Sequence, residues 1–307
     1  MLDFRTETFL SVCKHMNFTK AAKECNITQP AVTQQIHYLE EFYQTKLFHY
    51  VGKKLILTEA GAQLEKVLLS SRSNFDSLKD HFMSHSTEKN AIKMGATFTI
   101  GQFVIPGLLA RFMQNNPSYE IDLTVQNTSV LLPMLTRGEI DFAFIEGYFS
   151  KQDFAYRHFR NEHLIGVYSR DYPLQKKNAL FSVDDLLEEH LLIREVGSGS
   201  REILEHALLE KNIALDDFHA ITCVNNPYVL LELAKKGLGI TFLFESAVKD
   251  SLMKGELEML DLKDFEITHP FSFVYRKDSL FEEEYLSLFS HMYSDEKESR
   301  SCPEISG

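Results

Sequence analysis

The sequence is sparing with cysteine, has no long apolar run and shows no internal repeat, and each lack narrows the reading. Four cysteines, Cys13, Cys25, Cys223 and Cys302, are scattered through 307 residues without a C-x-x-C pair. That spacing suits neither a disulfide framework nor a zinc site. Isolated cysteines ordinarily serve as small apolar residues, a reading preferred here to a thiol sensor pairing Cys223 with Cys302. No segment approaches the roughly 18 uncharged apolar residues of a membrane-spanning helix. The start, "MLDFRTETFLSVCKHMNF", resembles neither a secretory signal nor a transit peptide. A cytoplasmic protein without a membrane partner is expected. Catalytic fingerprints are missing as well. "GSGS" at 197–200 is not a G-x-S-x-G elbow, and no G-x-G-x-x-G follows a strand. His81 and His85 have the i, i+4 spacing of a metal pair but no third ligand nearby. Neither an enzyme nor a metal protein is expected, and no cofactor.

What is present is ordinary globular material, 44% apolar and 25% charged, with a length that favours two or three domains. The charge is unevenly placed. Residues 1–58 hold seven Lys or Arg against five Asp or Glu, whereas residues 91–307 hold 21 against 34. A net charge of −12 argues against indiscriminate nucleic-acid binding by the whole chain, but not by its first segment.

In that segment, "FRTETFLSVCKHM" places Phe4, Phe9 and Val12 at helical spacing. "NFTKAAKEC" offers Thr19 as an N-cap followed by small Ala21 and Ala22, and Asn26 suits the turn after it. Thr28 can cap a further helix with Pro30 in its first turn, running through Ile36, Leu39 and Phe42 as inward positions. Two helices joined by a short turn make a helix-turn-helix, whose second helix can enter a DNA major groove. Thr28, Gln29, Thr33 and Gln34 then become base-edge readers, while Ala31 and the threonine methyls can touch thymine methyls. An ordinary solvated helix face is the alternative explanation of the same residues. "KLFHYVGKKLILTEAG" follows as a hairpin wing, its Lys53 and Lys54 set for phosphate contact.

From Thr58 as N-cap, a helix without proline continues for about seven turns. Leu64, Leu68, Ser71, Phe75, Leu78 and Phe82 follow a 4-3-4-3-4 spacing, a coiled-coil seam that calls for a second copy of the chain. After a polar boundary near 84–90, strands and helices alternate, which implies parallel sheets covered by helices. One helix is expected over "GQFVIPGLLARFMQNNP". Two α/β lobes with crossing strands between them would form a cleft at the carboxyl ends of strands. The expected division is a winged helix-turn-helix at 1–58, a linker helix and hinge at 59–90 and an effector domain at 91–300. Within that domain lobe I covers about 91–161 and 268–293 and lobe II about 162–267, with a disordered polar tail at 294–307.

The block "FTKAAKECNITQPAVTQQIHYLEEFYQTKLF" followed by "LTEAG" resembles the LysR-type transcriptional regulators, and the order of parts resembles them over nearly the whole chain. The resemblance implies an N-terminal winged helix-turn-helix, mostly α-helical, with a long linker helix and a C-terminal α/β, two-lobed, periplasmic-binding-protein-like domain. It implies double-stranded promoter DNA as partner, a dimer of dimers, and a small-molecule effector; RNA polymerase is a further partner to consider. DNA contact then falls on Thr19, Thr28, Gln29, Pro30, Ala31, Thr33, Gln34, His37, Lys53 and Lys54. The family commonly carries arginines where this chain has Gln34, His37 and His49. Fewer cations should flatten the salt dependence, and amide readers should favour an A/T-rich operator.

For the effector, Thr97 and Thr99 lie between the first strand of lobe I and its helix, where hydroxyls and free N–H groups suit a small anion or carboxylate. Asn127 and Thr128, then Glu146, occupy the matching places after the next two strands. From lobe II, "REVGSGSRE" offers Ser198, Ser200 and Arg201, and "VNNP" offers Asn225. Each residue alone could be no more than a helix cap. "GSGSR" resembles a loop in regulators of sulfur assimilation and carbon fixation, many of which sense small anionic metabolites. A cytoplasmic solute-binding protein with no role at DNA is the competing reading.

Overall fold

The structure, a computed structural model, describes residues 3–84, 90–174, 181–263 and 265–301. His85 and Cys302, and with them the His81–His85 and Cys223–Cys302 pairs, lie outside the described residues. The chain forms two compact units, one built mainly from residues before 85 and the other from residues 90 onward.

In the first unit, α1 (Phe4–His15), α2 (Phe18–Glu24) and α3 (Gln29–Phe42) precede a hairpin of β1 (Phe48–Val51) and β2 (Lys54–Leu57), then α4 (Glu59–Ser84). Asn17, not Thr19, caps α2: its side chain accepts from the Lys20 amide at 2.9 Å, and Thr19 lies exposed two residues further on. Ala21 and Ala22 are buried at the helix crossing, where a larger side chain would hold the backbones apart. Thr28 caps α3 as expected, accepting from Ala31 N, with Pro30 in the first turn. The inward face of α3 is Val32, Ile36 and Leu39, packed with Phe9, Val12 and Leu47. Phe42, expected to face inward, stands 67% exposed against Tyr43, and Phe4, at helical spacing with the buried Phe9 and Val12, is exposed too. Each lies at a helix end, beyond the last position the small core covers.

Gly52 has φ of +63° at the first of the two loop residues of the wing, where a type II′ hairpin requires glycine. Thr58 caps α4, accepting from Gly61 N at 3.0 Å. A Cβ on Gly61 would stand 2.3 Å from the Leu47 carbonyl oxygen, so "LTEAG" needs its glycine for close packing. On α4, Leu68 is buried in the core of this unit and Leu64 packs against it, whereas Val67 and Phe75 are exposed. The expected seam is thus divided: its first two leucines serve the unit's own core.

The second unit begins with β3 (Asn90–Ala96), α5 (Phe98–Phe103), α6 (Ile105–Asn115), β4 (Tyr119–Val125), α7 (Thr128–Arg137), β5 (Phe142–Ile145) and the long β6 (Phe154–Tyr168). It continues through β7 (His190–Arg194), α8 (Gly199–Glu210), β8 (Ala220–Val224), α9 (Pro227–Lys235), β9 (Ile240–Phe244), α10 (Glu245–Met253), β10 (Glu258–Met259), β11 (Ile267–Arg276) and α11 (Glu282–Ser301). The single helix expected at 101–117 is two helices broken at Val104, because Pro106 starts its own helix and contributes no amide to the one before. The expected disordered tail is also corrected in part, since α11 continues to Ser301.

Strand order is β4-β3-β5-β11-β6-β9-β7-β8, with β10 on β6. β3, β4 and β5 are parallel, as are β7, β8 and β9. β11 runs antiparallel to both β5 and β6, and β6 carries the sheet onward by pairing Leu164–Val167 with β9. Two parallel sets therefore share one crossing pair, the arrangement expected for two lobes. Phe142, Phe144, Phe159, Phe273 and Phe289 interlock beneath the first set, with ring centroids 4.7 to 6.5 Å apart.

Candidate nucleic-acid interface and ligand cleft

The outward face of α3 follows from its inward one. With Val32, Ile36 and Leu39 committed to the core, Thr28, Gln29, Pro30, Thr33, Gln34 and His37 are exposed and Ala31 half-buried. Gln29 Nε2 donates to Thr33 Oγ1 at 3.1 Å, and Thr33 Oγ1 donates to the Gln29 carbonyl at 3.1 Å, which orders the first turn of α3. His37 Nε2 lies 3.2 Å from Glu41. Lys53 and Lys54 are exposed at the wing tip. Glu40 fixes the approach to the wing, accepting from Leu47 N at 3.0 Å and pairing with Lys46. Glu24 ties α2 to α1 through Ser11, Lys14 and His15.

In the second unit four loops meet. Thr97 follows β3 and donates its amide to the Phe144 carbonyl, Asn127 and Thr128 follow β4, and Glu146 follows β5. Arg194 to Ser200 join β7 to α8. The approach is very close: a Cβ on Gly199 would stand 2.7 Å from the Gly147 Cα, and one on Gly147 would stand 2.7 Å from Thr128 Oγ1. Glycine is required on both sides because backbone meets backbone.

The expected hydroxyls are here, but they are engaged. Thr97 Oγ1 donates to Glu146 Oε2 at 3.0 Å and Thr99 Oγ1 donates to Oε1 at 3.1 Å. Glu146 is 1% exposed, and burial pushes its carboxyl up to about 7 against the pull of the Arg194 charge and the hydrogen bonds from Thr97, Thr99 and the Ile100 amide. Glu146 therefore fills the place that the sequence reserved for an anion. Ser198 and Ser200, both buried, share a hydrogen bond of 3.1 Å. Arg201 braces the loop by donating to Glu205 and to the Arg194 carbonyl. Asn225 is exposed beside Asn226, which caps α9, and among the described residues no hydrogen bond joins Asn225 to this group.

Arg194, 2% exposed, is the residue that sequence reasoning missed. Nε and Nη2 bind Glu195 at 2.9 and 3.0 Å, and Nη2 reaches Asn127 Oδ1 at 3.3 Å. The guanidinium lies 5.4 Å over the Phe98 ring. Burial works to raise the Glu195 carboxyl, but the bonds from Arg194 and Asn127 prevail and hold it below the usual range. Among the described residues, neither the buried Arg194 Nη1 nor the buried Thr128 Oγ1 has a hydrogen-bond partner. The only local signal for Arg194 was its place at the end of the apolar strand "LLIRE". Tyr148 continues the loop from Glu146, stacks on His206 of α8 and meets His269 of β11 edge-on, each at 5.0 Å. Burial lowers His269 to about 4, which keeps it neutral near pH 7. Among the described residues no helix is long and apolar enough to cross a membrane.

Comparison with known proteins agrees with both halves of this geometry. Residues 5–62 match the model of the bacterial regulatory helix-turn-helix protein, lysR family, and residues 85–286 match the LysR substrate binding domain. The HTH-type transcriptional activator CmpR of Synechocystis is 30% identical, covering 93% of this chain and 94% of its own. Full-length LysG from Corynebacterium glutamicum, solved with bound effector Arg, has a TM-score of 0.65 at 15% identity, covering 96% of this chain and 99% of its own. The Synechocystis CcmR regulatory domain in complex with 2-PG has a TM-score of 0.60 at 20% identity, covering 67% of this chain and 97% of its own. The matched models, the exposed face of α3 and the two-lobed sheet agree: this chain belongs to the LysR family and is a DNA-binding transcriptional regulator with an effector-binding domain.

Proposed function

We propose that this regulator reads an A/T-rich operator through Gln29, Thr33 and Gln34 and answers to a small anionic effector held between its lobes. Thr28, Ala31 and His37 flank the readers, and Lys53 and Lys54 meet phosphate. It acts in the cytoplasm without catalysis, as a dimer of dimers on promoter DNA, and Val67, Phe75, Leu78 and Phe82 carry the pairing along α4. RNA polymerase is the partner through which promoter occupancy acts.

The observation that carries the effector reading is Arg194 Nη1, a buried cationic donor without a hydrogen-bond partner among the described residues. An unsatisfied buried donor is costly, and a ligand that satisfies it gains by that cost. Thr128 Oγ1 is a second such donor beside Gly147. The effector therefore places an oxygen anion between Arg194 and Thr128, with Thr97, Thr99, Asn127, Glu146, Ser198 and Ser200 around it; Arg201 and Asn225 stand outside this first ring. Binding must favour one arrangement of the lobes over another to alter DNA contact.

Calorimetry of the full chain against a panel of small anions, 2-PG among them, tests this reading. At least one should bind, and Thr128→Val should weaken it about tenfold or more, as the loss of about 1.5–3 kcal/mol for one hydrogen bond to a charged group requires. Binding unaffected by Thr128→Val would place the effector elsewhere.

A further inference from the structure

The hydroxyls best placed for an arriving anion already have one. Each threonine offers a single O–H, and those of Thr97 and Thr99 both go to the two oxygens of Glu146. The carboxylate sits where Gly199 closes on Gly147, its Cγ 3.1 Å from a Cβ built on Gly199. Among the described residues of the cleft, the buried side-chain donors with no hydrogen-bond partner are Arg194 Nη1 and Thr128 Oγ1. Resting on the effector reading above, we propose that Glu146 is an internal competitor for the anion seat, holding Thr97 and Thr99 while ionised and yielding them on protonation, so that the effector enters as an anion together with one proton.

The surrounding charges allow this. Arg194 is the charged group acting on Glu146. Glu195 faces Arg194, and Arg201 faces Glu205. Glu202 acts on Tyr148. Residues 97–103, on the side of α5, and 127–130, at the start of α7, bring only neutral side chains. Arg194 is already matched by Glu195, so an ionised Glu146 leaves the seat with one surplus negative charge. A ligand anion against that charge cannot be accommodated with both ionised. Protonation removes the repulsion and turns Glu146 into a donor toward the ligand. The proton comes from solvent and returns to it when the effector leaves.

The test is calorimetry of the full chain with sodium sulfate, whose charge is constant from pH 5.5 to 9, at fixed ionic strength. Sulfate affinity should fall about tenfold per pH unit above pH 7, and enthalpies in two buffers of different ionisation heat should show uptake of one proton. Glu146→Gln should bind sulfate with no pH slope, and Thr128→Val should weaken the heat, assigning it to this cleft. Should Glu146→Gln fail to fold, the buffer dependence of the natural chain decides alone. Sulfate binding that is flat in pH and without proton uptake overturns the competitor role while leaving the seat standing. No sulfate binding at any pH overturns the seat, and the proposal with it.

Discussion

Gly147 and Gly199 meet backbone to backbone, leaving 2.7 Å between the Gly147 Cα and a methyl group built on Gly199. One comes from the exit of β5 and the other begins α8, so this contact joins the two parallel sets of strands at the cleft. Gly199→Ala must part them and should destabilise the chain by about 1–3 kcal/mol, the usual cost of overpacking. Gly107→Ala is the matched control. Gly107 lies within α6 and a Cβ there meets nothing within 4 Å, so alanine should stabilise by about 0.5–1 kcal/mol. Thermal denaturation of the two variants should move in opposite directions.

Glu146 should leave a mark on stability as well as on binding. Burial raises its carboxyl from an ordinary value of 4.5 to about 7 in the fold. Between those values the native state holds a proton that the unfolded chain has lost, so stability falls as pH rises. The slope reaches about 1.4 kcal/mol per pH unit, and about 3 kcal/mol is lost in all by pH 7 and slightly above. Glu146→Gln cannot lose this proton. Urea denaturation of both proteins from pH 4.5 to 8 should show the variant gaining on the natural chain as pH rises; parallel curves would mean that Glu146 ionises normally.

The divided face of α4 should separate folding from pairing. Leu68 lies in the core of the first unit, and Leu68→Ala should cost about 2–5 kcal/mol of its stability. Phe75 is 51% exposed. Phe75→Asp should leave folding intact by circular dichroism yet lower the mass seen in sedimentation equilibrium. A dimer that survives Phe75→Asp would move the pairing surface off this face.

Local signals carried far along this chain, and long-range ones did not. Thr28, Pro30 and the apolar spacing of α3 were legible because a cap, a first-turn proline and a helical period each act within a few residues. The same period placed Phe42 inside, since spacing says which face a residue shares but not where the core stops. Leu64 and Leu68 fit a seam and a core equally well until α1 is set beside them. The strand-to-helix turns of the cleft were readable as places, but their chemistry was not. Thr97 and Thr99 lie 49 and 47 positions from Glu146, and Asn127 lies 67 from Arg194. Nothing local indicated that the chain's own carboxylate would take the hydroxyls.

The readers of α3 bear most directly on the account as a whole. Gln29→Ala combined with Gln34→Ala removes two exposed amides without touching the core. A mobility-shift assay on the chain's own upstream DNA, at two salt concentrations, should show the double variant weakened about tenfold or more at the specific site, as one or two lost base contacts require. Binding to unrelated DNA and its salt dependence should stay unchanged, because Lys53 and Lys54, the residues proposed for phosphate contact, are untouched. If the double variant binds the specific site as tightly as the natural chain, α3 does not read the operator and the account fails.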